Sequence, residues 1–388
     1  MKHHSSFVIG LSLVLALLLA ACSPVATPAP AIEAPTEISE PATEAPTEEP
    51  TATLEPTPEA ITIVDGLGRS VTLEALPQRI AITGKSHFMI TDAVYFFPEA
   101  VERVAALSKS QQTATKAFVE LLDPDYEAKA IFDSDSGPEQ IAAAQPDLVL
   151  LKSSMAEGMG AAVEELGIPV IYMDLETPEQ YQRDLAILGQ VFGNPARAEE
   201  IWGLYQSQVE QIASTAAAEA EKPRVLLLQY SESGGEVALK TSPASWIQTQ
   251  MVEMAGGQAI WKESVQGGGW AVVNLEQIAA WDPDQIFIVN YFGNVDETVA
   301  ALMADPKWQA LKAVQNEQIY GFPKDYYSWD QPDSRWYLGL TWLATKIQPE
   351  GFQADMGEAF SNFYETFYGM DAAAVEESLV PLLEGKSW

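Results

Sequence analysis

The chain has 388 residues, of which 55 are Asp or Glu and 21 are Lys or Arg, for a formal net charge of −34. A surface this acidic repels phosphate backbones and anionic headgroups, which excludes nucleic acid and acidic membrane surfaces as general partners. The single cysteine excludes an intramolecular disulfide.

Lys2 precedes an apolar run from Phe7 to Ala21. That is the charged-then-apolar layout of a secretory signal over residues 1–21, and it is short for a membrane span. Leu19, Ala20 and Ala21 lead into Cys22, an arrangement that resembles the lipobox of bacterial lipoproteins and implies cleavage before Cys22 and lipidation of its sulfur. From Ser23 to Ala60 the chain is mostly Pro, Thr, Glu and Ala, with eight Glu and no aromatic residue, Lys or Arg. Such a segment cannot bury enough apolar surface to offset chain entropy, so 22–60 reads as an anchored, disordered tether. Setting its eight Glu and Lys2 aside leaves the remainder at about −27.

Residues 61–388 exceed one ordinary core and suggest two globular units. Strand patterns at Arg79–Ile82, Arg103–Leu107, Leu148–Leu151 and Pro169–Met173 alternate with helical stretches. The same alternation returns with Arg224–Leu228, Gln285–Val289 and Gln318–Phe322. The most telling feature is a repeat: residues 139–151, EQIAAAQPDLVLL, are echoed by residues 276–288, EQIAAWDPDQIFI, with seven of thirteen positions identical. Each copy is a short helix stopped at Pro-Asp and feeding an apolar strand. Asn194-Pro195 is a helix start, and the helical pattern that follows runs to about Ala220. The fold expected is α/β: two Rossmann-like lobes with parallel sheets, 61–176 and 222–388, joined through 177–221 by a long rigid helix. Aromatic helices beyond Pro349 pack back on the second lobe.

Residues 64–73 (VDGLGRSVTL), with Pro77-Gln78-Arg79-Ile80, the repeated helix-Pro-Asp-strand element, and Lys307-Trp308-Gln309-Ala310-Leu311 before Gln318-Ile319-Tyr320 together resemble the ferric-siderophore and cobalamin class of periplasmic binding proteins. The resemblance spans 61–346. It implies a monomeric, non-catalytic ABC-importer component without a cofactor, which holds a small ligand between its lobes. It also implies an acidic residue on each lobe that docks on the permease and ATPase complex; by position in the repeat these are Glu139 and Glu276.

Ligand-facing side chains of parallel sheets sit just past the strand carboxyl ends. That rule selects Lys85, Ser86, His87, Lys152 and Ser153 in the first lobe. In the second it selects Tyr230, Lys240 and Tyr291. Further candidates are Tyr327 and Trp329 in the aromatic segment 326–330, Arg335 a little beyond it with Asp330 and Asp333 as nearby alternative partners, and Trp270, which follows the flexible Gly267, Gly268 and Gly269. Aromatic rings with cationic donors suit an anionic metal chelate. His87 is the one histidine left once His3 and His4 depart with the signal, too few for a bare-metal site. A ferric siderophore-type complex is the ligand favoured; cobalamin, haem, a molybdate-type oxyanion and a non-transport sensing role are the alternatives. There is no Gly-x-Ser-x-Gly elbow and no phosphate-cradling glycine loop, which argues against an enzyme.

Overall fold

The structure, a computed structural model, describes residues 60–109, 115–133, 135–217, 221–265 and 267–386. The signal, Cys22 and the tether lie outside them. An antiparallel hairpin of β1 (Ile61–Val64) and β2 (Ser70–Leu73) opens the fold. The first sheet is built from β3 (Ile80–Ile82), β4 (Val104–Ser108), β5 (Ala130–Phe132), β6 (Leu148–Lys152) and β7 (Val170–Met173). Its order is β5-β4-β3-β6-β7, and every pairing is parallel. Burial explains the composition: β3, β6 and β7 are buried at every position, as strands covered on both faces must be.

The second sheet departs from the all-parallel expectation. Its strands are β8 (Arg224–Ser233), β9 (Glu236–Thr241), β10 (Gln258–Ala259), β11 (Ala271–Val273), β12 (Gln285–Val289) and β13 (Ile319–Gly321). Along β11-β9-β8-β12-β13 the β12 pairings are parallel, whereas β9 runs antiparallel to both β8 and β11; β10 adds a short parallel pairing to β8. The cause is the tight turn at Ser233-Gly234-Gly235, with both glycines at positive φ. It lets a ten-residue strand fold back on itself at once. Both β9 and β11 are largely exposed or half-buried and carry no buried apolar run of the kind that marks the parallel strands.

The helices used below are α1 (His87–Val94), α2 (Pro138–Ala143), α3 (Pro178–Phe192), α4 (Pro195–Ala216), α5 (Ile247–Met254), α6 (Leu275–Trp281), α7 (Trp336–Ile347) and α8 (Met356–Tyr368). The connector α4 starts as expected: Asn194 Oδ1 accepts from Arg197 N at 3.1 Å, and Pro195 occupies the first turn. At its start Arg197 donates to the Phe96 carbonyl in the first lobe and to the last-turn carbonyls of α8 at Thr366 and Phe367. Farther along, Tyr205 stacks on Trp336 at 4.6 Å and Gln208 donates to Thr341. One helix is thus fastened to both halves.

The sequence repeat has a structural meaning. Each copy ends its helix on a residue of positive φ, Gln145 or Asp282, before the Pro-Asp turn. In the first lobe the Asp147 carboxylate accepts from the backbone of Gln78 and Arg79 at 2.7 and 2.9 Å, while Arg79 returns bonds to the Gln145 and Ala144 carbonyls. In the second, Asp284 accepts from Arg224 N at 2.9 Å and Arg224 donates to the Asp282 and Trp281 carbonyls. The clamp ties the helix end to the start of the neighbouring central strand, β3 or β8. It also explains why Arg opens both strands.

Asp147→Ala and Asp284→Ala should each cost about 1–2 kcal/mol by removing charge-assisted bonds to strand backbone. Chemical denaturation checks this. The two losses should be similar and additive, because the clamps sit in different sheets.

Candidate functional site

A cavity of about 420 Å³ lies between the lobes. The first lobe contributes Ser86, Phe88 and Met89 from the start of α1, and Glu176, Thr177 and Gln180 from the start of α3. The second contributes Trp246 and Gln248 from the start of α5, together with Trp270, Tyr291, Gln331 and Pro332. Most of these segments follow strand carboxyl ends, and Trp270, which directly precedes β11, is brought there because Ala271 pairs with Thr241 at the end of β9.

Local bonding fixes each wall. Asp184 accepts from the backbone of Asp174 and Leu175 at 2.7 and 2.8 Å, and the Thr177 side chain caps α3 at Gln180, which holds the loop carrying Glu176. Ser86 adopts a left-handed conformation (φ 54°) to start α1, a local strain at the cavity edge. Ser242 and Thr249 hydroxyls share a 2.9 Å bond, and Trp261 donates to the Ser242 carbonyl, which secures the turn presenting Trp246. Trp270 meets Trp246 edge-on at 5.5 Å and lies 6.3 Å from Tyr291. Behind this aromatic wall, Asp330 has no exposed surface; it accepts from the Tyr291 hydroxyl at 2.7 Å and from Gln248 at 3.3 Å. Burial outweighs those bonds and pushes its carboxyl up to about 6.

Of the residues expected to face a ligand, Ser86, Trp270 and Tyr291 line the cavity, and Lys85 is exposed beside Ser86 without lining it. The remaining cations are a correction to the sequence reading. Lys152 is 2% exposed; it pairs with Glu176 at 2.8 Å and donates to the Asp174 carbonyl. Arg335 has no exposed surface and joins Asp325 and Asp92 at 2.6 and 2.5 Å, with Asp333 at 3.8 Å; Asp330 is not its partner. Lys240 is half-buried within β9, opposite Gln229 and Val272. Among the described residues lining the cavity none is Lys, Arg or His, and Glu176 is the one charged side chain.

The other aromatics and polar groups also serve packing. Tyr327 is buried and stacks on Phe88 at 5.3 Å, backing the cavity wall instead of forming it. Trp329 is buried, donates to Asp325 at 3.0 Å and stacks on Phe360. Tyr230 lines a separate pocket with Asn290 and Phe292. His87 is buried, and burial, only partly offset by the Lys109 backbone, pulls its pKa down to about 4, so it is neutral. The Ser153 hydroxyl is buried without a partner. Glu139 and Glu276 are exposed in the first turns of α2 and α6. Each helix leads back to the start of a parallel strand, which places its N-terminus at the strand-carboxyl edge, the edge that carries the cavity.

Phe88, Met89, Trp246, Gln248 and Gln331 escaped the sequence reading. Glu176 and Thr177 follow β7, where the strand-end rule applies without further information. Trp246 follows the unrecognised antiparallel β9, and nothing in the local pattern marks it.

A family model described as periplasmic binding protein matches residues 98–326. Among curated proteins, the molybdate-binding protein MolA of Haemophilus influenzae is 21% identical over 332 residues, covering 79% of this chain and 88% of that protein. The Fe(3+) dicitrate-binding periplasmic protein FecB of Escherichia coli is 24% identical over 273 residues, covering 67% and 81%. Among solved structures, a periplasmic solute binding protein from Veillonella parvula superimposes with a TM-score of 0.67 at 24% identity, over 84% of this chain and 98% of that one. These structural likenesses establish the two-lobed fold.

Asp330 carries a pH signature. An acid whose pKa is raised by folding is destabilising when ionised: its contribution is fully favourable below the unfolded value near 3.8 and is lost as pH rises through about 6. Asp330→Asn should therefore melt higher than the parent at pH 7.5, by a few degrees, with the gap closing as pH falls from 7 towards 4. Thermal melts of both proteins across that range are the check.

Proposed function

The chain belongs to the periplasmic binding protein family, and on that premise we propose that it is the solute-capturing component of an ABC importer, anchored outside the cytoplasm through Cys22 and the 23–60 tether. Two lobes, 61–176 and 222–388, joined through 177–221, hold the solute, and the favoured solute is a metal chelate of the ferric siderophore type. The observation that carries this reading is the aromatic, uncharged-to-acidic cavity built jointly by both lobes at their strand-carboxyl edges.

Its size and walls suit a bulky organic shell better than a small oxyanion, which would leave most of the aromatic surface uncovered. Two relatives bear names of metals held in organic shells, Fe(3+) dicitrate and vitamin B12. Among the described residues no group of three or more His, Cys, Asp or Glu could hold a metal ion, which fits a ligand that brings its own chelator. No helix among them is long and apolar enough to cross a membrane. The curated relatives are named as binding proteins, in keeping with capture without chemistry.

Glu139 and Glu276 supply one exposed carboxylate per lobe at matching repeat positions, the arrangement needed to meet paired basic sites on a dimeric permease.

Tryptophan fluorescence should be quenched saturably by ferric chelates, and Trp270→Ala should weaken that binding about tenfold. Tighter binding of molybdate than of any chelate would overturn the chelate reading. The double variant Glu139→Lys/Glu276→Lys should lose uptake through a reconstituted importer while retaining ligand affinity; unchanged uptake removes the docking role.

A further inference from the structure

Asp330 is buried at 0% exposure, and among the described residues no ion pair joins it to a Lys, Arg or His. One of its oxygens accepts from Tyr291 and Gln248, both of which line the cavity. An ionised carboxylate held in a low-dielectric wall without a counter-ion is costly. The cost is relieved when a cation comes close.

The cavity in front of it is shaped for one. Trp246, Trp270 and Tyr291 line it and meet edge to face, and Phe88 lines it from the other lobe; aromatic rings attract cations to their faces. The bond from the Tyr291 hydroxyl to a carboxylate pushes further electron density onto that ring. Behind the opposite wall the Lys152 ammonium, which does not line the cavity, is already paired with Glu176 and nearly without exposure, so it offers an anion little.

We infer that the solute carries a net positive charge, seated on the Trp246, Trp270 and Tyr291 rings with Asp330 as its buried counter-charge. This rests on the reading of the cavity as the solute site. It refines the solute to a cationic chelate, or to an organic cation of similar shape, and removes the anionic chelates that the sequence favoured. The overall acidity of the protein acts in the same direction by drawing cations to the surface.

The test is a charge series on the mature protein, followed by tryptophan quenching and calorimetry: ferrioxamine B, a monocation; ferrichrome, neutral; ferric enterobactin, a trianion; and benzyltrimethylammonium as a metal-free cation. The monocationic chelate should bind about tenfold tighter than the neutral one, and the trianion weakest. Because the acidic surface attracts any cation, the deciding quantity is the cation-to-neutral affinity ratio. It should fall about fivefold or more in Asp330→Asn, whereas a purely structural role would weaken both ligands together and leave the ratio unchanged. Equal binding across the series, or tightest binding of the trianion, overturns the inference and leaves the chelate reading intact. Binding of benzyltrimethylammonium at millimolar concentration without any chelate overturns the chelate reading and keeps the inference, and binding of none of the four removes both.

Discussion

The geometry of this protein depends on one buried guanidinium. Arg335, at the entry to α7 in the second lobe, is bonded to Asp92 on α1 of the first lobe and to Asp325 of its own, with Asp333 beside them; all four side chains are without exposed surface. Its plane lies over the Phe118 and Tyr327 rings at 4.5 and 4.9 Å. Burial and the neighbouring acids raise Asp92 and Asp333 above the ordinary carboxylate range, against the pull of Arg335. Such a cluster is weak evidence for stability in itself, since apolar residues could fill the space as well. Removing one member is another matter: the charges left behind are unpaired in a low dielectric, at a cost of about 3–5 kcal/mol. Moving the lobes apart would have the same effect, which fixes the position of α1 against the 325–335 segment.

That segment is the structural bridge between the ion cluster and the cavity. Asp325 receives Trp329 and Tyr364 as well as Arg335, and Asp330, five residues on, receives Tyr291 and Gln248. Gly339 lets α7 approach closely: a Cβ there would sit 2.1 Å from the Trp329 carbonyl oxygen. The aromatic wall is therefore supported from behind by polar contacts and helix packing, not by loops alone.

Much of the fold was legible because it is written twice. The EQIAA-Pro-Asp repeat, Arg at the head of each central strand, and buried runs such as Leu148–Leu151 all report local rules of helix stopping and strand burial. The antiparallel β9 and β11 were hidden because half-exposed strands lack an apolar run, and with them went Trp246. The site was legible only in part. Position past a strand end identifies which loops approach a ligand, and Ser86 and Tyr291 follow from it, while Trp270 is marked by the glycine run before it. It does not reveal whether a long cationic side chain turns outward or finds an acid inside. Lys152 found Glu176, and Arg335 found Asp92, more than two hundred residues earlier in the chain. Partnerships of that separation leave no mark in local pattern.

The connector α4, pinned to the first lobe through Arg197 and to the second through Tyr205 and Gln208, bears on how an importer would sense loading. A vessel whose halves are riveted along one spine has little freedom to change its outline, which makes outline a poor messenger. Recognition of a filled vessel must then come from what its mouth displays, the captured molecule included, and from the timing of contact there.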